Sequence, residues 1–151
     1  MFVPESTTKM KSQLKQSLFL RCLISFVAVV AGIAMSAAPA LGMDYVLGAF
    51  DSPRKPWRDG MFLLATAYRA IFAIMGGYVT AKFAPSSPKV HAIVLGALGT
   101  LAGIGGIAAY FANPKEMGPI WYPFAVCAIA LPCAWIGAKL MPAKKKDLAN
   151  R

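Results

Sequence analysis

The chain has 151 residues, 58% of them hydrophobic and 15% charged, and 16 Lys and Arg against 6 Asp and Glu give a net charge of +10. Its mean hydropathy is +0.56, whereas a soluble globular domain carries about 25% charged residues. The apolar residues come in long runs and the basic residues lie almost wholly outside them, so a soluble domain and a nucleic-acid binder are both poor readings.

Residues 1–17 form a polar N-terminal segment, expected to be disordered or to lie on a surface. An apolar run of about 20 residues spans the roughly 30 Å hydrocarbon core as a helix. Four runs qualify: Cys22 to Met43, Met61 to Ala81, Val90 to Ala112 and Ile120 to Ala138. The fold class that follows is an all-α membrane protein, a four-helix transmembrane bundle over residues 18–141, with a basic tail over 142–151. The Lys-rich start and Ser36-Ala37-Ala38-Pro39-Ala40 also resemble a secretory signal with an A-x-A site at Ala38 and Ala40. The run is longer than the apolar core of a signal and resumes after Asp44 in Tyr45 to Phe50, so it is read as a retained helix. Cleavage would leave three helices in the same orientation.

Between the first two runs, Asp51 to Gly60 is rich in turn formers, and Trp57 is suited to headgroup depth. The connection Ala84-Pro85-Ser86-Ser87-Pro88 is short enough to make the second and third helices antiparallel neighbours. The third connection, Asn113 to Pro119, leads into Trp121-Tyr122-Pro123, an aromatic interface pair with a proline near a helix start. Pro132 predicts a kink in the fourth helix. Eleven of the 16 basic residues fall on the side of the termini and the Pro-Ser-Ser-Pro turn, and four fall on the other. The positive-inside rule then places both termini in the cytoplasm. Basic residues at that face also attract anionic lipid, each by about 1 kcal/mol.

The second and third helices carry rows of small residues. Gly96, Gly99, Gly103 and Gly106 recur at intervals of three, four and three, and Thr66, Ala70, Ala73, Gly77, Thr80 and Ala84 make a similar row. Membrane helices pack by letting small residues bring backbones close. The short turn predicts that these two seams face each other. Gly76 and Gly105 lie off the rows and are left for a further helix or another subunit.

Arg69 is the sixteenth basic residue and the only charge inside a run. A central Arg disfavours insertion by about 2.5 to 3.5 kcal/mol. It lies eight residues in from Met61, about 12 Å along the helix, in the half nearer the outer face. Asp44 is its natural counter-ion if the first helix continues to about Phe50, and a neutralised pair would also fix helix register. Tyr68 can hydrogen-bond, but adjacent helical residues point about 100° apart. Arg69, Asp44 and Tyr68 are therefore the candidate intramembrane polar site, structural first. The functional alternative is an outward-facing polar pocket between the first three helices.

His91, the only histidine, sits at the start of the third helix, where a capping or headgroup contact is expected. Cys22, Cys127 and Cys133 read as small buried hydrophobes. No carboxylate pair, Ser-His-Asp set, phosphate loop or metal-ligand cluster is present. Neither a cofactor nor an enzymatic activity is implied.

The elements Ala67-Tyr68-Arg69, Gly77-Tyr78-Val79, Ala81-Lys82-Phe83-Ala84-Pro85, Pro88, His91-Ala92, Leu95-Gly96, Gly99, Gly118-Pro119, Trp121-Tyr122-Pro123, Leu131-Pro132, Ala134-Trp135 and Gly137 occur in this order. Over about residues 61 to 140 they resemble a group of small four-helix integral membrane proteins of bacteria for which no activity is established. The resemblance implies four helices and the bacterial inner membrane, and it draws Tyr68, Arg69, His91, Trp121 and Pro132 into one set. The expected role is that of an accessory protein acting through helix contacts, with a second copy or another membrane protein as partner. The alternative is a small transporter or channel subunit that uses Arg69 for an anionic or polar solute.

Overall fold

A computed structural model describes residues 5–49, 59–113 and 118–142, with side chains from residue 13 onward. Among these residues are four helices and no strand: α1 (Glu5–Ala49), α2 (Asp59–Phe83), α3 (Pro88–Ala112) and α4 (Trp121–Lys139). All four are long and apolar enough to cross a membrane. Each holds the run expected of it, give or take a residue or two, except α1. That helix begins at Glu5, so the segment read as disordered or surface-lying is helical from there, and it continues through Pro39 to Ala49. The anchor at Trp57, residues 1–4 and the tail from residue 143 lie outside the described residues.

Local chemistry sets the ends. Ala84 precedes Pro85, and the residue before a proline is pushed out of the helical region, so α2 stops at Phe83. Ser87 takes φ 45° as the residue before α3, and Pro88 opens that helix, where its missing N–H leaves no bond unmade. Gly118 adopts φ 78°, a left-handed conformation open to glycine, and the Phe62 ring fills the space beside it. α4 runs through Pro132 as one helix.

The packing order differs from the expectation that the α2 and α3 seams face each other. Gly77 of the α2 row and Gly96, Gly99 and Gly103 of the α3 row turn instead to α4, which is the principal neighbour of both helices. A Cβ built on Gly96 would lie 2.9 Å from the Leu131 Cα, and one on Gly103 would lie 2.8 Å from the Cys127 Cα. Gly99 looks onto Ala130, 3.3 Å from its Cβ. On α2, a Cβ on Gly77 would fall inside the Ala134 backbone, while one on Gly137 of α4 would meet Ile74 and Tyr78. The physical reason is that a row of glycines specifies a close approach but not a partner. α4 offers a complementary row, Cys127, Ala130, Ala134 and Gly137, at the same three-four-three spacing. Gly106, grouped with the seam by its spacing, meets nothing within 4 Å, and neither does Gly105.

α2 and α3 meet chiefly near their connecting turn, where Ala81, Ala92 and Ala138 form a buried cluster capped by Met141. Away from that end α3 has no buried residue beyond Gly103. α4 thus packs on both α2 and α3, and α1 packs chiefly on α2.

Candidate functional site

α1 reaches the bundle through a row that repeats every four residues: Ala28, Gly32, Ser36, Ala40 and Asp44. Each four-residue step drifts by about 40°, so the row winds slowly around α1. Ala28 is wholly buried and Ala40 nearly so. At Gly32 the backbones of α1 and α2 touch, since a Cβ on Gly76 would lie 2.7 Å from the Gly32 carbonyl oxygen. Gly76, off the α2 row, therefore serves α1. The same crossing sets Thr80, fully buried with its hydroxyl unpartnered, against Gly32. Asp44 lies twelve residues beyond Gly32, and Tyr68 lies twelve before Thr80. With the helices antiparallel, this one register delivers Asp44 to Tyr68.

Both neighbours on α2 bond to that carboxylate. The Tyr68 hydroxyl donates to Asp44 Oδ1, and Arg69 Nη2 donates to Oδ2. The 100° between adjacent residues is bridged because Asp44 sits over the angle between them. Tyr68 is only 6% exposed and packs with Ala40 and Ala65, while the guanidinium arrives on a long flexible stem. The Arg69 and Asp44 side chains each retain 30% exposure. Beneath the guanidinium lies the Tyr122 ring, 6.0 Å from Arg69 Cζ to the ring centroid. That ring packs edge-on to Phe62 at 5.1 Å. Arg69 Nε is buried without a hydrogen-bond partner.

Arg69 and Tyr122 stand at one end of a cavity of about 350 Å³ that all four helices line. A second void of about 330 Å³ shares Ser36, Ala37, Ala73, Gly99, Ala102 and Ala130 with it and continues toward the turn, to Leu95, Gly96 and Ala134. The pocket expected between the first three helices is therefore a four-helix one, with Tyr122, Pro123 and Val126 supplied by α4. Tyr122 is the residue that the sequence reading missed. Its signal in the sequence is the Trp-Tyr-Pro helix start, which by itself points only to an interface anchor.

The other candidates lie apart from this cluster. His91 Nδ1 is 3.2 Å from the Ser87 carbonyl oxygen, a local bond that requires the proton on Nδ1. Cys22 is exposed, not buried, and Cys127 and Cys133 are half-buried, all three as free thiols. Cys127 Sγ reaches back to the Thr100 carbonyl at 3.6 Å. Among the described residues no group of His, Cys, Asp and Glu is placed to hold a metal ion.

What the cluster offers chemically is a neutralised ion pair, an unused donor at Arg69 Nε and a cavity lined mostly by small apolar side chains. No protein-family model, curated protein or solved structure matches the chain.

Proposed function

We propose that the chain is a multi-pass protein of the bacterial inner membrane, with both termini cytoplasmic, and that it acts as an accessory component through helix contacts. The membrane setting is supported by four helices of sufficient length and apolarity and by large exposed hydrophobic side chains on each, such as Phe26, Leu63, Phe111 and Trp135. The orientation is supported by the eleven basic residues on the side of the α2–α3 turn. At that end Lys139 Nζ lies 3.6 Å from the centroid of the Trp135 ring, and Lys82 Nζ lies 6.0 Å from that of Tyr78. Such pairing of aromatic and basic residues suits an interface with anionic headgroups. Retention of the first helix is supported by the row from Ala28 to Asp44, which packs on α2 on both sides of Ala40.

The observation that carries the functional reading is the bonding of Asp44 to both Arg69 and Tyr68. The one charge within the apolar runs is already neutralised, and what it does there is hold α1 on α2. In the competing reading, a transporter or channel subunit, a solute anion at Arg69 would bring a second negative charge to a guanidinium that Asp44 already balances.

Quantifying folded protein in native membranes tests the clamp. Arg69→Leu is expected to lower that amount, and adding Asp44→Asn to restore part of it, because the second change removes the charge left unpaired. Cross-linking to a second copy or another membrane protein should fall in step. The reading is overturned if Arg69→Leu accumulates at the wild-type level and vesicles containing it lose a chloride or phosphate flux that the wild type shows.

A further inference from the structure

The geometry points to the four-helix cavity as a binding site for a slender, uncharged amphipathic molecule with an oxygen acceptor at one end. Three features define that ligand class, and none depends on the accessory role.

The first is size and shape. The void beside Arg69, about 350 Å³, falls in the range of small-molecule sites, about 300 to 1,000 Å³. With its continuation it runs along α3 from Gly106 to Gly96, ten residues or about 15 Å. Its walls are glycine and alanine over most of that length, so the body it admits is long and thin.

The second is polarity concentrated at one end. Arg69 lines that end, and of the several N–H donors on its guanidinium it is Nη2 that bonds Asp44. Tyr122 lines the same end. Farther in, Ser36 is the one polar side chain among the lining residues, its hydroxyl donating to the Ile33 carbonyl oxygen, and Ala37, Ala73, Ala102, Ile129 and Ala130 are apolar. An ester, ketone or hydroxyl oxygen near Arg69 would complete the guanidinium while an apolar tail filled the rest.

The third is charge. Asp44 already balances Arg69. A ligand carboxylate would give the site a net negative charge and an ammonium would give it a net positive one, and an unbalanced charge is strongly disfavoured where water is scarce. A neutral acceptor leaves the balance intact. Access is lateral: the backbones of α1 and α4 do not approach one another, and the Tyr122 side chain reaches across from α4 to the Ala40 and Tyr68 cluster. A molecule dissolved in the bilayer would enter there.

Such chemistry belongs both to bilayer lipids with a small uncharged head and to free single-chain esters and alcohols. The test uses the full chain in phosphatidylcholine nanodiscs and a photoreactive methyl ester of a ten-carbon acid, with labelled residues mapped by mass spectrometry. Labelling is expected at Ala37, Ala102 and Val126. Unlabelled methyl decanoate should compete at least tenfold better than decane or decanoate. Dioleoylglycerol as competitor assigns the source, since competition points to bilayer lipid and its absence to a single-chain molecule; the site stands in either case.

Gly106→Leu separates binding from folding, because a Cβ at Gly106 meets nothing within 4 Å and the residue lines the cavity. That variant should keep its melting midpoint and lose at least tenfold in labelling. Arg69→Lys keeps the charge but removes the planar fork of donors, so it should abolish the preference for ester over decane. Labelling spread over the exposed helix faces and unchanged by Gly106→Leu would overturn the site. Decane or decanoate competing as well as the ester would overturn the ligand class. Failure of the clamp is read separately, from Arg69→Leu with Asp44→Asn, and leaves Gly106→Leu unaffected.

Discussion

Adding one methyl group at each bundle glycine gives a graded measure of which helices touch. At Gly105 and Gly106 a Cβ has open space, so alanine there should stabilise the helix by up to about 1 kcal/mol through propensity alone. At Gly99 the nearest atom is the Ala130 Cβ at 3.3 Å, slightly tight, so the change should stay within about 0.5 kcal/mol of neutral. At Gly103 the Cys127 Cα lies 2.8 Å away, and at Gly77 the Ala134 Cα lies 2.8 Å away with its carbonyl carbon equally near. Carbon atoms prefer separations of about 3.5 to 4.0 Å, so the helices must part by roughly 1 Å at these points. A gap of that size forfeits about a quarter to a half of the dispersion across the layer, and overpacking at such sites costs about 1 to 3 kcal/mol. Gly77→Ala and Gly137→Ala oppose backbone to backbone and should fall at the upper end, Gly103→Ala in the middle. The assay is reversible unfolding in mixed micelles titrated with sodium dodecyl sulfate and followed by far-ultraviolet circular dichroism. If Gly106→Ala destabilised as much as Gly77→Ala, the α3 seam would have to face α2 along its whole length, and the packing through α4 would be wrong.

The ion pair has its own cycle. Arg69→Leu should cost about 2 to 3 kcal/mol, below the 3 to 5 typical of fully buried pairs because both partners keep 30% exposure. The double change with Asp44→Asn should cost less than the sum of the single ones by about 1 to 2 kcal/mol, and strict additivity would refute the clamp. Tyr68→Phe removes one donor to Asp44 and should cost about 1 to 2 kcal/mol in the same titration. Gly32→Ala should drive a methyl into the Thr80 hydroxyl, and Thr80→Ala in the same chain should recover only part of the loss, because the Gly76 carbonyl oxygen remains 2.9 Å away; complete recovery would mean that the backbones do not touch there. In a variant with its native cysteines replaced, Ser86→Cys should react with an impermeant maleimide only after the membrane is opened; labelling of intact cells would reverse the topology.

How far the sequence reveals this arrangement depends on the kind of signal. The spans are legible because apolar length is a one-dimensional property. The partner of Arg69 is legible because only Asp44 offers an opposite charge at a matching depth. The partner of a glycine row is not legible by the same route, since closeness is encoded without direction and turn length ties only the ends of two helices. α4 hides its contribution because Cys127, Ala130, Ala134 and Gly137 contain a single glycine, although their spacing matches that of Gly96 to Gly106. The α1 row is masked by Pro39 and by the likeness of its surroundings to a signal cleavage site. A cavity leaves no mark in sequence at all, because it consists of side chains too small to meet.

The two kinds of contact divide the labour within the bundle. α2, α3 and α4 are joined by backbone approaches at Gly77, Gly96, Gly103 and Gly137, which no side-chain movement can loosen. α1 is joined by one such crossing, at Gly32 and Gly76, and then by the polar bonds of Asp44 together with the packing of Ala40, Met43 and Leu47 about Tyr68, with the cavity between. Its two attachments lie twelve residues apart, about 18 Å of helix. Weakening the polar end would let that end of α1 swing away from α2 about the glycine crossing and widen the cavity beside Tyr122, while the three-helix core stayed together. Arg69 belongs to both features: Nη2 bonds Asp44 on α1, and the side chain lines the cavity end. A ligand that bonded this guanidinium would therefore also stiffen the side chain that holds the first helix in place.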